Sequence, residues 1–65
     1  MIKVKTRLGD KYINVINIVS IEQDEKKYVR IWHTHQGYTE TTEEFDVVVK
    51  KIEKMLIQIA GSQHV

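Results

Sequence analysis

The hydrophobic period of this chain changes once, near residue 41, from every second residue to every third or fourth. Before the change the apolar residues alternate with polar ones, as in short half-buried strands. After it, Phe45, Val48, Val49, Ile52, Met55, Leu56 and Ile59 form one stripe of an amphipathic helix, with Asp46, Lys50, Lys51, Glu53, Lys54 and Gln58 opposite. A single helix covers only one face of a sheet. The chain is therefore expected to be α+β, a small antiparallel sheet of four to five strands with one C-terminal helix packed on one face. The other face must be polar or be covered by something outside the chain.

At 65 residues there is material for one core, expected over 1–61, with 62–65 as a flexible tail. The absence of cysteine removes disulfides and thiolate metal sites, so packing or association with another copy must supply the stability a small core lacks. A net charge of +1 provides no global field for nucleic acid or membrane. No apolar run approaches the roughly 20 residues of a membrane span, and MIKVKTRL alternates where a signal peptide would be continuously apolar, so a cytoplasmic protein is expected.

Ile2, Val4, Thr6 and Leu8 alternate with Lys3, Lys5 and Arg7, which puts Ile2, Val4 and Leu8 toward the helix and the three cations away from it. Gly9-Asp10 is the expected turn into a second strand, Lys11 to Val15. Asn14 and Asn17 suggest a bend before a third strand, Ile18 to Gln23. There Val19 and Ile21 are the expected core pair, leaving Ile18, Ser20 and Glu22 outside. After the polar link Asp24 to Lys27, the run Tyr28 to Thr34 is a fourth strand with Val29 and Ile31 inside and Tyr28, Arg30, Trp32 and Thr34 outside. Gln36-Gly37 makes the next turn and Tyr38 to Glu40 a last short strand. Thr41 and Glu44 have the spacing of a capping box, and Gly61 is the expected helix stop.

The uncovered face thus carries Tyr28, Arg30 and Trp32, the residue types enriched at protein–protein hot spots, and these are the candidate partner-binding residues for a homo-oligomer or a protein partner. The same face supports a second reading, nucleic-acid binding, with bases stacked on Trp32 and phosphates met by Lys3, Lys5, Arg7 and Arg30. A third reading gives the aromatics no specific role beyond packing on neighbouring stems. His33 and His35 share a face of an extended strand, but zinc needs three or four ligands, and only His64 or carboxylates such as Glu40 or Glu22 could complete a set. They read instead as strand-end residues reaching solvent, so no metal and no cofactor is expected. No serine sits in a nucleophile elbow, the glycines are too scattered for a phosphate cradle, and a sheet–helix layer offers little concave volume. No enzymatic activity, no small-molecule substrate and no membrane partner are expected.

The segments Met1-Ile2-Lys3-Val4, Arg7-Leu8-Gly9, Tyr12-Ile13-Asn14 and Ile18-Val19-Ser20-Ile21-Glu22, with the helix opening Glu43-Glu44-Phe45-Asp46-Val47-Val48, resemble the small FlbD/SwrD-like proteins associated with bacterial flagella and swarming. The resemblance covers most of the chain. It implies a small bacterial accessory or regulatory protein with no catalytic residues to carry over. This chain departs from that pattern in having Val15 where a proline tends to follow the asparagine, and His33-Thr34-His35-Gln36-Gly37 where the turn is a shorter Asn-Gly. The LytTR-type DNA-binding domain has a comparable run of strands and a closing helix, but is longer.

Overall fold

The computed structural model describes residues 1–34 and 37–62. In order, the elements are β1 (Ile2–Thr6), β2 (Gly9–Ile13), a single 3-10 turn (Val15–Asn17), β3 (Ile18–Gln23), β4 (Val29–His33), β5 (Gly37–Thr41) and α1 (Phe45–Ser62). The fold is α+β, with antiparallel pairing throughout and the helix at the C-terminal end. Where one sheet was expected, the strands divide into two, β1-β2 and β3-β4-β5. The two meet where Thr42 N–H donates to Lys5 C=O at 3.0 Å, one backbone bond and not a continued ladder.

The first hairpin turns earlier than the glycine suggests. Thr6 pairs with Gly9, so Arg7 and Leu8 form the loop and Gly9, at φ +112°, opens β2. Thr6 Oγ1 ties the loop by donating to Gly9 C=O at 2.7 Å and accepting from Leu8 N–H at 3.1 Å. Leu8, expected in the core, is 100% exposed at the tip. The expected second strand, Lys11 to Val15, is likewise displaced toward the N-terminus. Its bend is a 3-10 turn capped by Asn14, whose Oδ1 accepts from Ile16 N–H at 3.3 Å.

A register break between Ile18 and Ser20 in the β3-β4 pair reverses the facing at the start of β3. Ile18, expected outside, packs against the core, whereas Val19, expected inside, is 65% exposed. Past the break the alternation recovers: Ile21 packs on the core, and Ser20 and Glu22 stand beside Trp32 and Arg30 on the outer face.

The core consists of Ile2 and Val4 from β1, Ile13, Val15, Val29 and Ile31 from β4, and Val48 and Ile52 from the helix. Phe45, Met55 and Ile59 continue the helix stripe at its margin, while Leu56, expected on it, lies about half exposed. The helix does not end at Gly61 but runs through it to Ser62; the remainder of the expected tail, 63–65, lies outside the described residues.

The expected capping box is replaced by a different junction. Glu44 contributes its carbonyl, which accepts from Val48 N–H at 3.1 Å. Thr41, 1% exposed, donates its hydroxyl to Lys5 C=O at 2.7 Å and accepts from Glu43 N–H at 3.1 Å. It is Glu43, not Glu44, whose carboxylate is used: Oε2 accepts from Lys5 N–H at 2.9 Å and Oε1 pairs with Lys51, which also donates to Lys3 C=O at 2.9 Å. The loop before the helix and one helical lysine thereby engage Lys5 N–H, Lys5 C=O and Lys3 C=O on the outer edge of β1. Partial burial pushes the Glu43 carboxyl up, but the Lys51 ammonium and the Lys5 amide outweigh it, and the net effect is a value below that of an ordinary glutamate.

Candidate functional site

The face of β3-β4-β5 turned away from the core collects the expected binding residues. Trp32 lies between Ser20 on β3 and Tyr38 on β5, and Arg30 lies between Glu22 and Glu40. Such cross-strand neighbours on one face are close enough for direct side-chain contact. The Trp32 and Tyr38 rings pack with centroids 4.9 Å apart at a tilt of 54°, an arrangement favoured by their quadrupoles. Arg30 lies over the Tyr38 ring at 5.4 Å and Arg7, arriving from the first hairpin, over the Tyr28 ring at 5.3 Å. Tyr28 precedes β4 and is partly exposed. Its amide is held by Asp24 Oδ1, which also accepts from Lys26 N–H, so the connecting loop is built on one aspartate.

Arg30 is the electrostatic centre. Its Nη1 lies 3.8 Å from Glu22, its Nη2 3.3 Å from Asp24 and its Nε 3.6 Å from Glu40, while Arg7 Nη2 lies 3.8 Å from the other oxygen of Glu40. Two guanidiniums thus stand among three carboxylates. The Nε atom is buried and makes no hydrogen bond, its carboxylate being just beyond reach. An arginine so surrounded offers little to a phosphate, because any phosphate must displace a carboxylate and accept the repulsion of the others. A cleft of about 460 Å³ runs along this group between Arg7, Asp24, Tyr28, Arg30 and Glu40.

The residues expected for a nucleic-acid surface are not all brought together. Arg7 reaches Arg30's neighbourhood through Glu40 and Tyr28. Lys3 and Lys5 stand instead on the β1-β2 ribbon opposite Tyr12 and Asp10. Alternation along the sequence puts Tyr28, Arg30 and Trp32 on this face but does not reveal that Tyr38, Asp24 and Glu40 stand beside them. The signal for Tyr38 and Glu40 was available in the hairpin register: a turn between β4 and β5 that pairs His33 with Gly37 puts Tyr38 opposite Trp32.

His33, expected to reach solvent, is half-buried at the end of β4. Its Nε2 lies 2.7 Å from Thr39 Oγ1, and Lys11 Nζ donates to the same oxygen at 2.8 Å. Burial and then the Lys11 charge hold the His33 pKa below its ordinary value. His35 and His64, the other histidines weighed for a metal set, lie outside the described residues, and among the described residues no three His, Asp or Glu side chains are placed to hold a metal ion. Among the same residues no helix is long and apolar enough to cross a membrane.

Comparison with known proteins returned no matching family model, no matching curated protein and no matching solved structure.

Proposed function

We propose that the chain is a non-enzymatic binding module that self-associates or docks a protein partner through the outer face of β3-β4-β5, with Tyr28, Arg30 and Trp32 at its centre and Tyr38 beside them. The observation that carries this reading is the contiguous cluster of rings and guanidiniums on a sheet face that the helix leaves uncovered. Large aromatics and arginine supply most of the energy at protein interfaces, and a domain of 65 residues gains more than a large one from added burial. The carboxylates around Arg30 favour a protein over a nucleic acid, since they can be matched by a partner's lysine or arginine but only repel a phosphate backbone. On the resemblance noted above, the setting is that of a bacterial motility-associated accessory protein, acting without cofactor or small-molecule substrate.

The test is solution mass against concentration for the native chain and for Trp32→Ala. An oligomer that Trp32→Ala converts to monomer supports self-association. A monomeric native chain shifts the reading to a protein partner, and an oligomer untouched by Trp32→Ala refutes the self-association arm. Salt-sensitive binding to oligonucleotides, lost in a Lys3→Gln, Lys5→Gln double variant, would replace the proposal with nucleic-acid binding.

A further inference from the structure

Strand edges are normally capped, charged or covered. The outer edge of β1 is engaged at three backbone groups: Lys5 C=O accepts from Thr42 N–H and from Thr41 Oγ1, Lys5 N–H donates to Glu43, and Lys3 C=O accepts from Lys51. The facing edge of β5 is not. Since Thr42 N–H points toward β1 and backbone groups alternate sides along a strand, the amides and carbonyls of Tyr38 and Glu40 point the same way, while those of Thr39 and Thr41 point to β4. Among the described residues no backbone hydrogen bond joins Tyr38 or Glu40 to β1 or its turn.

Beside that edge the first hairpin is joined to β5 by side chains and not by backbone: Arg7 lies 3.8 Å from Glu40, and Lys11 Nζ donates to Thr39 Oγ1 at 2.8 Å. Between its tip and β5 is a cleft of about 580 Å³, lined in part by Arg7, Leu8, Asp10, Lys11, Tyr38 and Glu40. This is the size class of pockets that hold small ligands. Its charges balance, two cations against two carboxylates, so nothing in it selects a polyanion. Its apolar contributions are Leu8, fully exposed, and Tyr38, about half exposed. An unpaired edge asks for backbone, a neutral lining asks for an uncharged chain, and Leu8 with Tyr38 asks for an aliphatic side chain.

We infer that the cleft between the first hairpin and β5 receives a short extended segment of a protein partner, which pairs its backbone with Tyr38 and Glu40 and sets an aliphatic residue against Leu8. The cleft borders the outer-face cluster and shares Arg7, Tyr38 and Glu40 with it, but Tyr28, Arg30 and Trp32, the centre of the proposed interface, do not line it.

The test uses the full chain and a displayed library of random short peptides, followed by residue-resolved amide exchange with the best-enriched peptide. In the free chain the Tyr38 and Glu40 amides exchange faster than those of Thr39 and Thr41; equal protection would show the edge already paired and overturn the inference. The enriched peptide carries an aliphatic residue, slows exchange at Tyr38 and Glu40 by about tenfold or more, and binds Leu8→Glu at least about tenfold more weakly while binding Trp32→Ala as it binds the native chain. Failure to enrich any peptide, binding without protection of those amides, or binding lost in Trp32→Ala and kept in Leu8→Glu would each overturn it. Protection of the same amides by a second copy, without peptide, would overturn the choice of occupant.

Discussion

Removing the Glu43 carboxylate should destabilise the protein far more than its position in a pre-helix loop suggests. Its side chain is 13% exposed and that of Lys51 36%, so the pair sits at a boundary where the Coulombic part contributes on the order of 0–1 kcal/mol. The larger loss is the hydrogen bond that the Lys5 amide donates to Glu43 at 2.9 Å, which only water can replace at this exposed position; a hydrogen bond to a charged group is worth about 1.5–3 kcal/mol. Glu43→Ala is therefore expected to cost about 1.5–4 kcal/mol in all. A chain of 65 residues has a total stability of about 3–10 kcal/mol, so the variant should lose a large share of it, with Tm lowered by roughly 10 °C or more. Urea unfolding followed by the fluorescence of Trp32, the one tryptophan, measures this directly. The same group sets an acid dependence. Its folded pKa lies below the unfolded value, so its stabilisation is complete above the ordinary glutamate value and disappears as pH falls through the lowered one. Glu43→Gln, which cannot titrate, should flatten that acid limb. A Glu43→Ala variant within about 0.5 kcal/mol of the native chain would refute the reasoning, because it would mean that the β1 edge is satisfied without the loop.

Three further outcomes follow from the same structure. His33, whose pKa is lowered by burial and by Lys11, is protonated more readily unfolded than folded; stability should be full above the ordinary histidine value, fall as pH drops through the window below it, and level off beneath the folded value. Urea midpoints between about pH 5 and 8 should show this slope in the native chain and not in His33→Gln. Ile31→Ala, at a fully buried β4 position, should cost about 2–5 kcal/mol, whereas Val19→Thr, at the displaced position of β3, should stay within about 0.5 kcal/mol; a reversed order would place the register break elsewhere. Gly9→Ala meets no atom within 4 Å, so its cost is that of holding φ at +112°, about 1–3 kcal/mol, and an unchanged urea midpoint would show that the hairpin can re-form with another turn.

The parts of the fold that were legible in the sequence are those carried by short-range periodicity. Alternation placed Ile2 and Val4 inside, Val29 and Ile31 inside, and Arg30 and Trp32 outside, because in an uninterrupted strand the facing of each residue follows from its neighbour. It failed at Leu8 and at Val19, the places where the backbone leaves strand geometry. Leu8 sits in a two-residue loop set by the Thr6-Gly9 pair, and Val19 in a register break, and neither has a local composition that distinguishes it from a continuing strand. The helix stripe was read almost entirely, but its start was not. Thr41 and Glu44 have the sequence spacing of a cap, yet the Thr41 hydroxyl is engaged by Lys5, a residue 36 positions away.

Sequence alone determined the kinds of element, their order, and the presence of one face that the chain's own helix does not cover, since each depends on patterns spanning a few residues. Tertiary structure decided what that face is. It brought Arg7 from the first hairpin over Tyr28, surrounded Arg30 with Glu22, Asp24 and Glu40, and thereby converted a face that reads as basic and aromatic into one whose charges are largely met from within. It also divided the strands between two sheets, capping the edge of β1 with Glu43 and Lys51 and leaving that of β5 open. The physical reason is the same in each case: ion pairs and edge hydrogen bonds join residues distant in the chain, and their partners are chosen by how the elements pack and not by spacing along the sequence.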